Sequence, residues 1–189
     1  MTSGPSAFFT KPYWQTGPGV PAENARHVPD ISLNAAAGHV PYLVVSGGVL
    51  RGIGGTSAGS PAFAGVVALL NQYLMKEGVI AKPGLGNINP MLYRMAQTAP
   101  GAFHDVVDGD NKVLCVQSSP KCIDGKPGYA AGPGYDMATG LGTIDAHKLV
   151  TKWQNGTASV TTLTASPNRV DLNTMVRLTA VVAGSGRVA

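Results

Sequence analysis

Gly55-Thr56-Ser57-Ala58-Gly59-Ser60-Pro61 is the segment of this chain best suited to chemistry. It is a tight glycine turn that delivers a serine onto an apolar run, Ala62-Phe63-Ala64-Gly65-Val66-Val67-Ala68-Leu69-Leu70. A strand-like run, Pro41-Tyr42-Leu43-Val44-Val45, lies upstream. A hydroxyl at the start of a helix meets unpaired backbone N–H groups and the positive end of the helix dipole, which favour negative charge. The oxyanion that forms when a serine attacks a carbonyl is such a charge. Ser57 is therefore a candidate nucleophile. The plainer reading is a helix cap, because serine is a preferred N-cap residue. Gly54-Gly55 implies close backbone approach or an unusual φ. Pro61 falls just after Ser57, where its missing N–H is expected to do little harm. Ala62, Ala64 and Gly65 are small enough for close packing against a sheet.

The elements that must position Ser57 follow from pattern. Residues 28–33 and 40–45 are apolar enough for buried strands. Residues 58–76 form a helix that Gly78 stops. Asn89-Pro90 starts a second helix, with asparagine as N-cap and proline at the first helical position. A third spans residues 144–153, with Asp145 near its start and Lys148 and Lys152 later, as the dipole prefers.

Composition bounds the class. The chain has 189 residues, enough for a sizeable core. Only 13% are charged, and 25 glycines and 14 prolines predict a loop-rich α/β body. Net charge is +4 with Lys and Arg scattered, so no nucleic-acid partner is expected. No apolar stretch reaches the ~18 residues of a membrane span. Met1-Thr2-Ser3-Gly4 does not open a signal peptide. Cys115 and Cys122 are the only cysteines. A short-loop disulfide, a zinc pair and two free thiols are all open; zinc lacks further ligands nearby.

Three segments carry a family resemblance. Gly54 to Gly65, Gly-Gly-Thr-Ser-Ala-Gly-Ser-Pro-Ala-Phe-Ala-Gly, resembles the serine motif of the sedolisins, the serine-carboxyl peptidases, and the related subtilisin motif. Subtilisins usually carry histidine after the motif proline, where this chain has Ala62. Arg26-His27-Val28-Pro29-Asp30-Ile31-Ser32-Leu33-Asn34-Ala35 resembles the sedolisin segment ahead of the serine. Phe103-His104-Asp105-Val106, with Gly132-Pro133-Gly134-Tyr135-Asp136-Met137-Ala138-Thr139-Gly140-Leu141-Gly142, resembles the sedolisin calcium site. The resemblance runs from about residue 3 to 153. It implies an α/β fold with a partial subtilisin-like parallel sheet and flanking helices. It also implies one structural Ca2+ ion, with Asp105, Val106, Gly132, Gly134 and Asp136 as ligands. Those residues supply carboxylates and backbone carbonyls, the oxygen donors calcium prefers, and glycines let carbonyls turn inward. Read without the family, Gly-Pro-Gly-Tyr-Asp is an ordinary turn. Asp108-Gly109-Asp110-Asn111 is acidic too, but lacks the spacing and terminal Glu of an EF-hand, and is expected to be a solvated turn.

A serine hydroxyl needs a base. In sedolisins the base is a glutamate oriented by an aspartate, with another aspartate at the oxyanion, all well before the serine motif. Here the acids upstream of Ser57 are Glu23 and Asp30 alone. Asp30 matches the Pro-Asp of a structural segment, and Glu23 lies in a proline-rich loop; neither is assigned a catalytic role. Asp30, His39 and Ser57 have the order of a subtilisin triad, but triads are defined by geometry, and a surface histidine is the expectation. His104 is expected to support the calcium loop, and His147 to lie in the last helix.

Composition shifts after Asn155-Gly156-Thr157, a glycosylation sequon. Residues 159–167 and 175–182 alternate as β-strands and look like the opening of a bacterial Ig-like repeat. Such a sandwich needs about seven strands, so these two should be poorly ordered or sticky. The expected division is thus residues 1–154, the C-terminal portion of a sedolisin-like peptidase domain, and 155–189, a linker and truncated Ig-like segment. The expected function is secreted, monomeric serine-type endopeptidase action on proteins or peptides at acidic pH, through an acyl-enzyme on Ser57. The segment alone, lacking the Glu and Asp partners, is expected to be inactive. A peptide-binding pseudo-peptidase and an adhesion protein with Ig-like repeats are the alternatives.

Overall fold

The computed structural model describes residues 3–116, 122, 127–153, 159–166 and 175–184. The chain divides into two compact units, Met1–Trp153 and Gln154–Ala189.

In the first unit, β1 (Gly4–Pro5) pairs with β2 (His27–Val28), β3 (Tyr42–Ser46) with β4 (Val49–Ile53), and β5 (Phe103–His104) with β6 (Thr143–Ile144). The helices are α1 (Thr56–Lys76), α2 (Asn89–Thr98) and α3 (Ala146–Lys152). Every strand pair among the described residues is antiparallel and two-stranded. The parallel sheet expected from sequence is therefore not formed here. A parallel pair needs two strands joined through a crossover of a dozen or more residues. Instead α1 leads into turns and then α2, and among the described residues of this unit the strands that follow, β5 and β6, are two residues each.

The expected buried strands are corrected too. Residues 28–33 contribute only the end of β2 to a sheet. Residues 40–45 enter β3, whose Leu43 and Val45 are each 69% exposed. The cause is the two-residue loop Gly47-Gly48, with φ values of 60° and 75°. Two positive φ values in succession make the tight hairpin turn whose twist matches its strands, so β3 folds back onto β4.

The core gathers Leu92 and Met95 of α2, Ala102 and Leu149 of α3. Phe63 and Val66 of α1, with Ile31, Leu141, Ile144 and Trp153, pack around it. On α1, Leu70 and Leu74 stand one turn apart and are buried together. Helix α1 ends at Lys76, followed by Gly78 at φ 70°, the left-handed conformation that glycine adopts without penalty. Helix α2 begins at Asn89 with Ile88 as cap, so Asn89 is not the N-cap expected. Asp145 caps α3: its Oδ1 accepts the Lys148 N–H at 2.9 Å, and its Oδ2 lies 3.0 Å from Lys148 Nζ.

Cys115 and Cys122 form a disulfide, with Cα atoms 5.9 Å apart. In the second unit β7 (Ser159–Ser166) and β8 (Arg177–Gly184) pair in an eight-residue antiparallel register. The two strands expected to lack partners thus pair with each other. The sequon at 155–157 lies outside the described residues.

Candidate active site

Helix α1 begins at Thr56, and its N-cap is Gly55 at φ 96°, ψ 156°. That backbone suits glycine alone. Ser57 is thus the second helical residue, solvent-exposed, and does not cap the helix. The cap reading is answered by the glycine that takes its place. Pro61 lies inside the helix. It has no N–H to give the Ser57 carbonyl four residues back, so that carbonyl goes without its usual helical donor. This is a larger local effect than a first-turn proline has. Ser60 Oγ donates to the Thr56 carbonyl at 3.2 Å.

Residues 33–37 hold the turn from below. The Gly55 N–H donates to the Ala35 carbonyl at 2.6 Å. A Cβ on Gly54 would stand 2.6 Å from Ala37 N and 2.7 Å from Ala35 O, so no side chain fits. A Cβ on Gly59 would stand 3.3 Å from Leu33 Cβ. The glycines bracketing Ser57 thus let two backbones touch.

The acids upstream are engaged elsewhere. Asp30 Oδ2 accepts Arg26 Nη2 at 2.5 Å and Asn89 Nδ2 at 3.1 Å, and Oδ1 accepts the Tyr93 hydroxyl at 3.0 Å. Glu23 Oε1 is 3.6 Å from the Nδ1 of His27. His27 is fully buried, and its backbone N–H and C=O are both held by the Gln15 amide. Gln15 Nε2 also donates to the Tyr93 hydroxyl at 2.8 Å. Burial, and then the Asp30 carboxylate, push the Tyr93 phenol above its ordinary range. The Tyr135 phenol is raised by the same two causes. His39, His104 and His147 are exposed. Among the described residues no carboxylate or imidazole is hydrogen-bonded to Ser57. Asn89 and Tyr93 had no chemical motif to mark them; only the fold brings them to Asp30, with Gln15 bonded in turn to the Tyr93 hydroxyl.

Of the residues expected to hold calcium, Asp105 meets Gly134 and Asp136 meets Gly132. Asp105 Oδ2 accepts the Gly134 N–H at 2.8 Å, and Asp136 Oδ2 accepts the Gly132 N–H at 3.1 Å. Two carboxylates therefore close on one loop. Gly134 has φ 79°, and a Cβ there would stand 2.6 Å from Pro18 O. Asp136 Oδ1 also accepts the N–H groups of Ala138 and Thr139, at 2.8 and 2.7 Å. No cluster of three or more His, Cys, Asp or Glu occurs among the described residues. Any ion here would take two carboxylates and complete its shell from backbone carbonyls and water. That all-oxygen donor set fits calcium and not zinc. Asp108 and Asp110 instead accept the N–H groups of Gly109 and Lys112, as turn residues do. A cavity of about 140 Å³ opens beside Asp105 and Gly134.

No protein-family model matches the chain. Kumamolisin of Bacillus sp. (strain MN-32) is 40% identical over 148 residues, covering 74% of this chain and 23% of the relative. Physarolisin of Physarum polycephalum is 37% identical over 143 residues, covering 73% and 23%. A solved structure of Pseudomonas sedolisin, a serine-carboxyl proteinase complexed with two molecules of pseudo-iodotyrostatin, superposes with a TM-score of 0.61 at 34% identity. The superposition covers 79% of this chain and 35% of that one. The chain therefore spans less than a quarter of the length of these two relatives.

Proposed function

We propose, for a chain of which about three quarters is homologous to the sedolisin family, that it forms part of a serine-carboxyl endopeptidase with Ser57 as nucleophile. Ser57 Oγ attacks the scissile carbonyl, the C–N bond breaks, and the amine leaves with the proton. Water then hydrolyses the ester. The single observation that carries this reading is the exposed Ser57 on the first turn of α1, with Gly55 as cap.

The base and its orienting acid must come from polypeptide other than residues 3–56, because Glu23 is turned to His27 and Asp30 to Arg26, Asn89 and Tyr93. A carboxylate base accepts protons best near its own pKa, so the working pH is acidic. Substrates are proteins or peptides, and the enzyme is secreted and monomeric. No helix among the described residues is long and apolar enough to cross a membrane. Asp105, Asp136 and the carbonyls of Val106, Gly132 and Gly134 would hold one calcium ion. Its chemistry when bound is to neutralise two carboxylates and fix the loop.

A fluorogenic peptide assay at acidic pH tests whether this chain holds a base for Ser57. This chain alone, and its Ser57→Ala variant, are expected to show only background turnover. Clear turnover by this chain, abolished in Ser57→Ala, would mean that a base is already present.

A further inference from the structure

We propose that Asp30 is a positioning residue for the nucleophile, acting through residues 30–37 as a strut between the 136–142 turn and the serine turn. The proposal rests on Ser57 being the nucleophile, but its test needs no turnover.

The strut is fixed at one end by three donors. Arg26, Asn89 and Tyr93 converge on the Asp30 carboxylate, whose side chain is only 18% exposed. They come from the loop before it and from α2. Charge-assisted hydrogen bonds of this kind are about twice as strong as neutral ones. The backbone is held on its other side. Leu141 N–H donates to the Asp30 carbonyl at 2.8 Å, and Ser32 N–H donates to the Gly142 carbonyl at 3.0 Å. Gly140, at φ 66°, lets the turn approach so closely that a Cβ would stand 2.4 Å from the Asp30 carbonyl carbon.

The far end of the strut bears on the serine turn. The Ala35 carbonyl receives the Gly55 N–H, Ala37 fills the space beside Gly54, and Leu33 touches Gly59. Residues 31–36 belong to no strand, so no sheet ladder of their own fixes their position. Their placement depends on the Asp30 anchor and the bonds to residues 141 and 142. A displaced strut would shift the acceptor that sets Gly55, the residue whose φ aims α1 and hence Ser57.

Site-resolved amide exchange on the full chain tests this, by comparing residues 55–58 with Leu70 and Leu74 in the middle of α1. Asp30→Asn keeps the shape and removes the charge. The expected result is exchange at Gly55 and Ala58 faster by about tenfold, with Leu70 and Leu74 within about twofold of the parent. Unchanged exchange at Gly55 overturns the proposal. So does acceleration at Gly55 in step with Leu70 and Leu74, which would make Asp30 a general stability residue. Should Asp30→Asn fail to fold, Tyr93→Phe removes one of the three donors and keeps the ring. It is expected to give the same local pattern at about threefold, and a uniform or absent change overturns the proposal equally.

Discussion

Asp105 and Asp136 reach the same three-residue loop, and each already spends one oxygen on a glycine amide there. On the proposed calcium reading these carboxylates supply two of the ion's oxygen donors. Calcium is therefore expected to raise the thermal midpoint, and a chelator to lower it. At a free calcium concentration a hundredfold above Kd the gain is about 2.7 kcal/mol. Asp105→Ala is the cleaner probe, because Asp136 also organises Ala138 and Thr139. The variant should lose the calcium-dependent shift by differential scanning fluorimetry. A shift that survives intact would remove Asp105 from the ligand set. Tyr93 supports a second prediction. Its phenol is raised in the folded state, so the stability it contributes is complete below the ordinary phenol pKa of about 10 and is lost as pH rises beyond it. Urea unfolding at successive pH values above 10 should show a steeper loss in the parent than in Tyr93→Phe. Equal slopes would contradict it.

At the scale of elements, local signals located the helices well. Gly78 follows the end of α1 as expected, whereas Asp145, expected inside a helix over 144–153, stands before α3 as its N-cap. Hydrogen bonds from the Lys148 amide and side chain lower the Asp145 pKa. The cap thus contributes above the unfolded carboxylate pKa and is lost as pH falls through the lowered folded value. Asp145→Ala should lower the thermal midpoint at neutral pH and change little at strongly acidic pH. An equal loss at both would contradict an ionised cap. The strands were less legible. An apolar run such as Tyr42-Leu43-Val44-Val45 can belong to a buried sheet or an exposed hairpin, and hydrophobicity does not separate them. Gly47-Gly48 was the signal that could have done so. The Asp30 cluster was not legible, because Asn89 and Tyr93, one turn apart on α2, lie some sixty residues from Asp30 in sequence and nothing in the sequence marks which face of α2 meets it.

Across the whole molecule, motif order made the family legible: the 54–65, 26–35 and 103–142 segments resemble one family in the same sequence. Homology then covers about three quarters of the chain. Glu23 and Asp30, the acids before Ser57, face His27 and the Arg26, Asn89 and Tyr93 side chains, so neither marks a base for Ser57. The most direct test supplies the proposed carboxylate partners. The segment that precedes the match in kumamolisin can be joined ahead of Ser3, and peptide turnover measured at acidic pH with and without Ser57→Ala. The account predicts turnover that falls by about 10⁴-fold or more when Ser57 is replaced. Turnover in the joined protein that is unaffected by Ser57→Ala would contradict the assignment of Ser57 as nucleophile.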